Sequence, residues 1–279
     1  MSMHKSAKLV APIAGAEAEG AIVYEKRGGA AWVRLNRPAA FNTLCPELVA
    51  QFESALDDAA TSPEVNAVVI VGTGRAFCAG ADLKFLGTLP EAERADATAA
   101  FLQRVLELMM RIERFAKPVI GLVNGIATGG GMELLLCCDL VIADERARLG
   151  DGHANFGLLP GGGASARLPR KIGPTRAKYL LFTGDLLPAS YFLEAGLVNE
   201  IAPEGTLGER AEGLIAKLAN KSPLGLRRMK ELVDDGLEQP RDVALRNELI
   251  FGGLHAHSFD QQEGLKAFNE KRKPQFRGC

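Results

Sequence analysis

The sequence predicts an α/β fold with a helical C-terminal region, and three observations predict it. Short apolar runs rich in β-branched residues recur, as in Ala67-Val-Val-Ile-Val71 and Pro118-Val-Ile-Gly-Leu-Val123, and each reads as a buried strand. Between such runs lie stretches with apolar residues three or four apart, the mark of helices with one buried face. From about residue 205 the pattern turns almost wholly helical. Strands alternating with helices mean a chain that returns to its sheets repeatedly.

In chain order, residues 21–25 and 30–36 form paired strands across the turn signal Lys26-Arg-Gly-Gly29. Pro46 opens a helix over 46–60, because its missing N–H costs nothing in a first turn. The strand at 67–71 follows. Residues 91–116 form a long helical stretch with Phe101, Val105, Leu108 and Ile112 on one face. A buried strand at 118–123, a short helix at 131–138 and a strand at 139–143 come next. Helices are expected over Glu209–Ala219, Leu224–Asp235 and Asp242–Gly252, with Pro223 and Pro240 marking starts or breaks. The N-terminal Lys8-Leu-Val-Ala-Pro-Ile-Ala14 is too short and proline-broken to cross a membrane, and it reads as part of a flexible tail.

Composition narrows the function classes. A chain of 279 residues can bury a substantial core, as one large domain or two small ones. The net charge of −1 gives no electrostatic footprint for nucleic acid. Five cysteines at irregular spacing, with no CxxC pair, argue against a disulfide framework or a structural zinc site and suit a reducing cytoplasm. No cluster has metal-ligand spacing, so no metal is expected. Gly72-Thr-Gly74 lacks the third glycine of a dinucleotide fingerprint, no Walker lysine follows a glycine loop, and Gly163-Ala-Ser165-Ala-Arg167 is not a nucleophile elbow.

The richest segment is Ala127-Thr-Gly-Gly-Gly-Met-Glu133, directly after an apolar run. Glycines let a backbone turn sharply and approach a ligand, and first-turn N–H groups point outward where the helix dipole favours negative charge. That is the material of an oxyanion hole with Glu133 one turn away as acid or base. A tight corner with a solvent-facing glutamate is the competing reading. Residues 67–84 repeat the theme: an apolar strand, a small-residue turn through Ala79-Gly-Ala81, then Asp82 and Lys84.

With Leu35-Asn36-Arg37-Pro38 and Pro160-Gly-Gly-Gly163, these segments resemble the crotonase (enoyl-CoA hydratase/isomerase) family, in the right order along the chain. The resemblance runs from about residue 20 to the end, where Glu263-Gly-Leu-Lys-Ala-Phe-Asn-Glu-Lys-Arg-Lys273 also fits. It implies a spiral of repeated ββα units with a C-terminal helical region. The domain plan is then a tail at 1–19, an acyl-CoA-binding core at 20–204 and a helical oligomerisation region at 205–279, expected to build a homotrimer or dimer of trimers.

The resemblance also implies site residues. The Ala81 and Gly130 N–H groups would hold the thioester oxygen. Asp82, Leu83, Lys84 and Arg37 would line the CoA path, although Lys84 also reads as a solvated loop lysine and Arg37 as a turn-capping one. CoA enters as part of the substrate, with no separate cofactor. Glu133 matches the first of two acid/base glutamates. Aligning on Pro160-Gly161 puts His153 where the second is expected. An imidazole titrates near neutrality and can replace that carboxylate. A hydrolase branch that cleaves β-diketones also has a histidine here, paired with an aspartate where this chain has Gly162. Cys78 reads as small-residue packing. The expected activity is that of an enoyl-CoA hydratase-like lyase using Glu133 and His153. The alternatives are an enoyl-CoA isomerase, a β-diketone or thioester hydrolase using His153, and a non-catalytic acyl-CoA-binding homologue. One fold carries many chemistries, so the family leaves these open.

Overall fold

Strands β1 (Ile22–Arg27) and β2 (Ala30–Leu35) pair antiparallel, Ile22 opposite Leu35 and Arg27 opposite Ala30. The turn is the two residues Gly28-Gly29 rather than the four expected from sequence, so Lys26 and Arg27 extend the strand; a two-residue loop matches the twist of a hairpin. Helix α1 (Pro46–Thr61) begins at its proline and buries Leu48, Val49, Phe52, Ala55, Leu56 and Ala59. The structure, a computed structural model, describes residues 20–279. The tail expected at 1–19 lies outside the described residues.

Three further turns of chain then repeat one plan. Each contributes a strand to a first sheet, a three-residue strand to a second, and then helix. The first is β3 (Ala67–Gly72), β4 (Ala76–Cys78), α2 (Leu83–Thr88) and α3 (Arg94–Glu113). The second is β5 (Val119–Val123), β6 (Ile126–Thr128) and α4 (Gly130–Leu136). The third is β7 (Leu140–Asp144), β8 (Arg148–Gly150), a 3-10 turn at His153–Phe156 and α5 (Ala164–Ile172). Helix α6 (Pro174–Thr183), β9 (Leu187–Pro188), α7 (Ala189–Glu194) and β10 (Glu200–Ala202) follow. The chain ends in α8 (Leu207–Ala219), α9 (Pro223–Gly236), α10 (Arg241–Ala256) and α11 (Phe259–Asn269).

The first sheet runs β1-β2-β3-β5-β7-β10, parallel from β2 onward, and the second runs β4-β6-β8-β9, parallel through its first three strands. Successive turns of chain therefore lay successive strands side by side in both sheets. This is the expected spiral of ββα units. The first sheet is buried on both faces. Val68 and Ile70 join the main core with Phe52 and Val33. Trp32, Val69, Val71, Ile120 and Ile142 form a second layer with Leu207, Ala211 and Ile215 of α8. Burial on both faces is why these strands read as unbroken apolar runs.

Two buried or nearly buried asparagines hold the crossings between sheets. Asn42 Nδ2 donates to the Thr73 and Ala76 carbonyls at 3.0 and 2.8 Å. Asn124 Oδ1 accepts the Gly72 N–H at 3.0 Å, and its Nδ2 donates to the Gly74 carbonyl at 2.9 Å. Each satisfies main-chain groups that the switch between sheets would otherwise leave unpaired. Among the described residues no helix is long and apolar enough to cross a membrane.

Candidate active site

The three short strands β4, β6 and β8 are neighbours and parallel, so the loops leaving them emerge together. Ala81, Gly130 and His153 stand in those loops or just beyond them, and with Glu133 of α4 they line one cavity of about 90 Å³. Its remaining walls are mostly apolar, with Leu44, Leu86, Leu102, Val105, Leu158 and Leu159 beside Thr98.

Residues 43–45 and 80–82 meet in a parallel bridge. The Leu44 N–H donates to the Gly80 carbonyl at 2.8 Å, and the Asp82 N–H donates to the Leu44 carbonyl at 2.9 Å. Alternation along an extended chain turns the Ala81 N–H the other way. Gly130 is the first residue of α4, where a helix leaves its N–H groups without internal acceptors. Neither N–H donates to a main-chain carbonyl among the described residues. Close packing holds this turn in place: a Cβ on Gly131 would fall 1.9 Å from the Cys78 carbonyl oxygen. Only glycine permits α4 to lie so tightly on β4.

Glu133 is 2% exposed. Its Oε1 accepts the N–H groups of Gly162 and Ala164 at 2.8 and 3.1 Å, so the carboxylate faces the N-terminus of α5. Burial is the strongest influence on it and raises its pKa above the ordinary carboxylate value; the two amides and His153 oppose that rise. The Pro160-Gly-Gly-Gly163 turn thus does more than mark an alignment, because it supplies a donor to Glu133.

The His153 ring lies 2.8 Å, through Nδ1, from Oδ1 of Asp151, a fully buried carboxylate. Burial, the largest influence, pulls the imidazole pKa down. The Asp151 hydrogen bond and the charges of Asp151 and Glu133 together outweigh it, and the pKa is raised. The site therefore pairs a carboxylate and an imidazole whose pKa values are both raised, the first chiefly by burial and the second by the neighbouring carboxylates.

A family profile described as "Enoyl-CoA hydratase/isomerase" matches residues 25–279. The chain is 37% identical over 256 residues to crotonyl-CoA hydratase of Syntrophomonas wolfei, covering 91% of this chain and 97% of that protein. It is also 37% identical to 2,3-dehydroadipyl-CoA hydratase of Escherichia coli, with 88% and 93% covered. The crystal structure of enoyl-CoA hydratase from Bacillus anthracis superimposes with a TM-score of 0.88 at 34% identity, covering 93% of this chain and all of that one (100%). The chain belongs to the enoyl-CoA hydratase/isomerase family.

Five of the residues that the family resemblance singles out lie on the cavity: Ala81, Leu83, Gly130, Glu133 and His153. Three do not. Arg37 and Asp82 are spent on each other, Nη2 to Oδ2 at 2.7 Å. Arg37 also donates to the Thr43 carbonyl, and Asp82 caps α2 by accepting the Phe85 N–H at 3.1 Å. That bracing holds the loop carrying Ala81. Lys84 is exposed on α2. Cys78 is fully buried, and burial pushes its thiol up to about 12, which suits packing rather than attack. Asp151 and the amides of Gly162 and Ala164 were not singled out from the sequence. Asp151 had one signal, its position two residues before His153; the amides had none, since any non-proline residue offers an N–H.

Proposed function

We propose that this chain is an enoyl-CoA hydratase-like lyase, adding water to the double bond of an enoyl-CoA thioester or removing it from the hydrated product. The observation that carries the reading is the meeting of Glu133 and His153 on one cavity with two unspent N–H groups, at Ala81 and Gly130. Those N–H groups donate to the thioester oxygen. Rigid backbone donors aimed at developing charge lose no rotamer freedom, and removing one costs about 10²–10³ in rate.

Glu133, ionised, takes a proton from water as the water oxygen bonds to Cβ. The π electrons move onto the thioester oxygen as an enolate. When the enolate collapses, Cα takes the proton from the imidazolium of His153. Water has then been divided as OH on Cβ and H on Cα, and exchange with solvent passes the proton on Glu133 back to His153. CoA is part of the substrate, and no separate cofactor is invoked.

The hydrolase alternative is disfavoured by space. This chain has Gly162 where the hydrolase pairing needs an aspartate, and a Cβ there would stand 2.8 Å from Glu133 Oε2 and 2.4 Å from Met109 Sδ, so admitting one would displace those side chains. We further assign residues 205–279 to self-association, as a homotrimer or dimer of trimers, and place the protein in the cytoplasm, where its cysteines stay reduced.

The test is incubation with crotonyl-CoA, following loss of the enoyl-thioester absorbance, for the wild type, Glu133→Gln and His153→Ala. Rapid loss in the wild type, lowered about 10²-fold or more by each substitution, is the expected result. Binding of crotonyl-CoA without loss of absorbance would overturn hydration of short enoyl chains.

A further inference from the structure

The imidazole and the oxyanion turn sit on different turns of the spiral, and one residue touches both. Asp151 follows β8 and is fully buried. Its main-chain carbonyl accepts the Gly129 N–H at 2.5 Å and the Thr128 hydroxyl at 3.2 Å. These two residues immediately precede Gly130. Its carboxylate Oδ1 accepts the His153 main-chain N–H at 3.2 Å and lies 2.8 Å from His153 Nδ1. The other oxygen, Oδ2, has no hydrogen-bond partner among the described residues.

The donor can be assigned from these contacts. Oδ1 already accepts an N–H, so at Nδ1 it accepts again and the ring nitrogen carries the hydrogen. That leaves Nε2 as the nitrogen that gains and loses the second proton. A buried carboxylate kept with one oxygen unpartnered costs stability. The positively charged form of the ring is what such a group stabilises.

We propose that Asp151 is a positioning residue: it locks His153 in the Nδ1–H form and sets the ring in register with the Gly129–Gly130 turn, leaving Nε2 to exchange protons in the cavity. The last clause rests on the hydratase reading; the lock and the register do not. The charged groups that face the imidazole are Asp151 on its own loop and Glu133 from α4. Replacing Asp151 by asparagine keeps the shape and removes one of these charges, and its amide oxygen still meets both N–H groups; alanine removes the acceptor as well and frees the ring to take the Nε2–H form. A ring in that form holds its proton on the wrong nitrogen to accept one in the cavity.

The test is nitrogen NMR of the full-length protein labelled in its histidines, with the His153 signal among the four histidines identified by its loss in His153→Gln. The wild type is expected to titrate above an ordinary imidazole and to show the Nδ1–H form once neutral. In Asp151→Asn the midpoint falls, and in Asp151→Ala the Nε2–H form appears as well. In Asp151→Ala kcat for crotonyl-CoA hydration drops about 10²-fold while KM is little changed. An Nε2–H form in the wild type overturns the proposal, even if the variant fails to fold. An unmoved titration in a folded variant does so too. If the wild type binds crotonyl-CoA without turning it over, the hydratase reading falls, and the ring form and midpoint still decide the role of Asp151.

Discussion

Glu133 is held between opposed influences: burial drives it toward the neutral acid, while two main-chain amides and the nearby imidazole hold it as an anion. His153 is held in the mirror-image way, with burial against the carboxylates. The proposed reaction needs Glu133 without its proton and His153 with its own. Activity should therefore rise as pH climbs through the Glu133 titration, above the ordinary carboxylate range. It should fall as pH passes the His153 titration, above the ordinary imidazole range. A bell-shaped profile of kcat/KM for crotonyl-CoA, with its basic limb lost in His153→Ala, is the expected outcome. Glu133 was legible in the sequence because a glycine turn and a carboxylate lie four residues apart. Its partners were not: Gly162 and Ala164 are brought to it across 29 and 31 residues, and an amide has no letter in the sequence.

At the scale of elements, length decided what could be read. Helix α3 shows five buried residues over five turns of chain, and its period is plain from sequence. The strands β4, β6 and β8 have three residues each, too few to show a period of two, and they went unread although they carry the site. Helix α2 was likewise missed, since it buries no residue fully and depends on the Asp82 cap. The start of α4 is the element on which most depends. Gly131→Ala puts a methyl group where the Cys78 carbonyl already is, and α4 must move away from β4 to admit it. Overpacking of this kind costs about 1–3 kcal/mol, and a chain of this size loses about 2–4 °C in Tm per kcal/mol. Calorimetry should show that fall, and the displaced Gly130 N–H should cost activity beyond it.

For the whole molecule, the sequence pattern conveyed an α/β body followed by helices, and the family resemblance conveyed the spiral that joins them. The C-terminal region is not uniform. Helix α8 buries Leu207, Ala211 and Ile215 against the first sheet, whereas α10 buries no residue fully. Leu249 of α10 is 77% exposed, and Leu237 and Phe268 are comparably open. Apolar surface on this scale is unusual for a chain that stays alone. If these helices build the proposed trimer, Leu249→Glu should lower the molar mass measured by light scattering and leave the far-ultraviolet circular dichroism unchanged. An unaltered mass would place the contact elsewhere.

The side-by-side packing of β4, β6 and β8 has a consequence for how such a chain can change. Each strand delivers one part of the proposed reaction: the first oxyanion donor, the second donor with its glutamate, and the imidazole with its aspartate. These parts are encoded in three separate stretches of the gene, each ended by its own helix. Substitution within 151–156 can exchange the proton carrier and leave the carbonyl-holding stretches untouched, and the reverse holds for 79–84. The site can diversify one stretch at a time, so a new reaction on this scaffold does not need all three to change together.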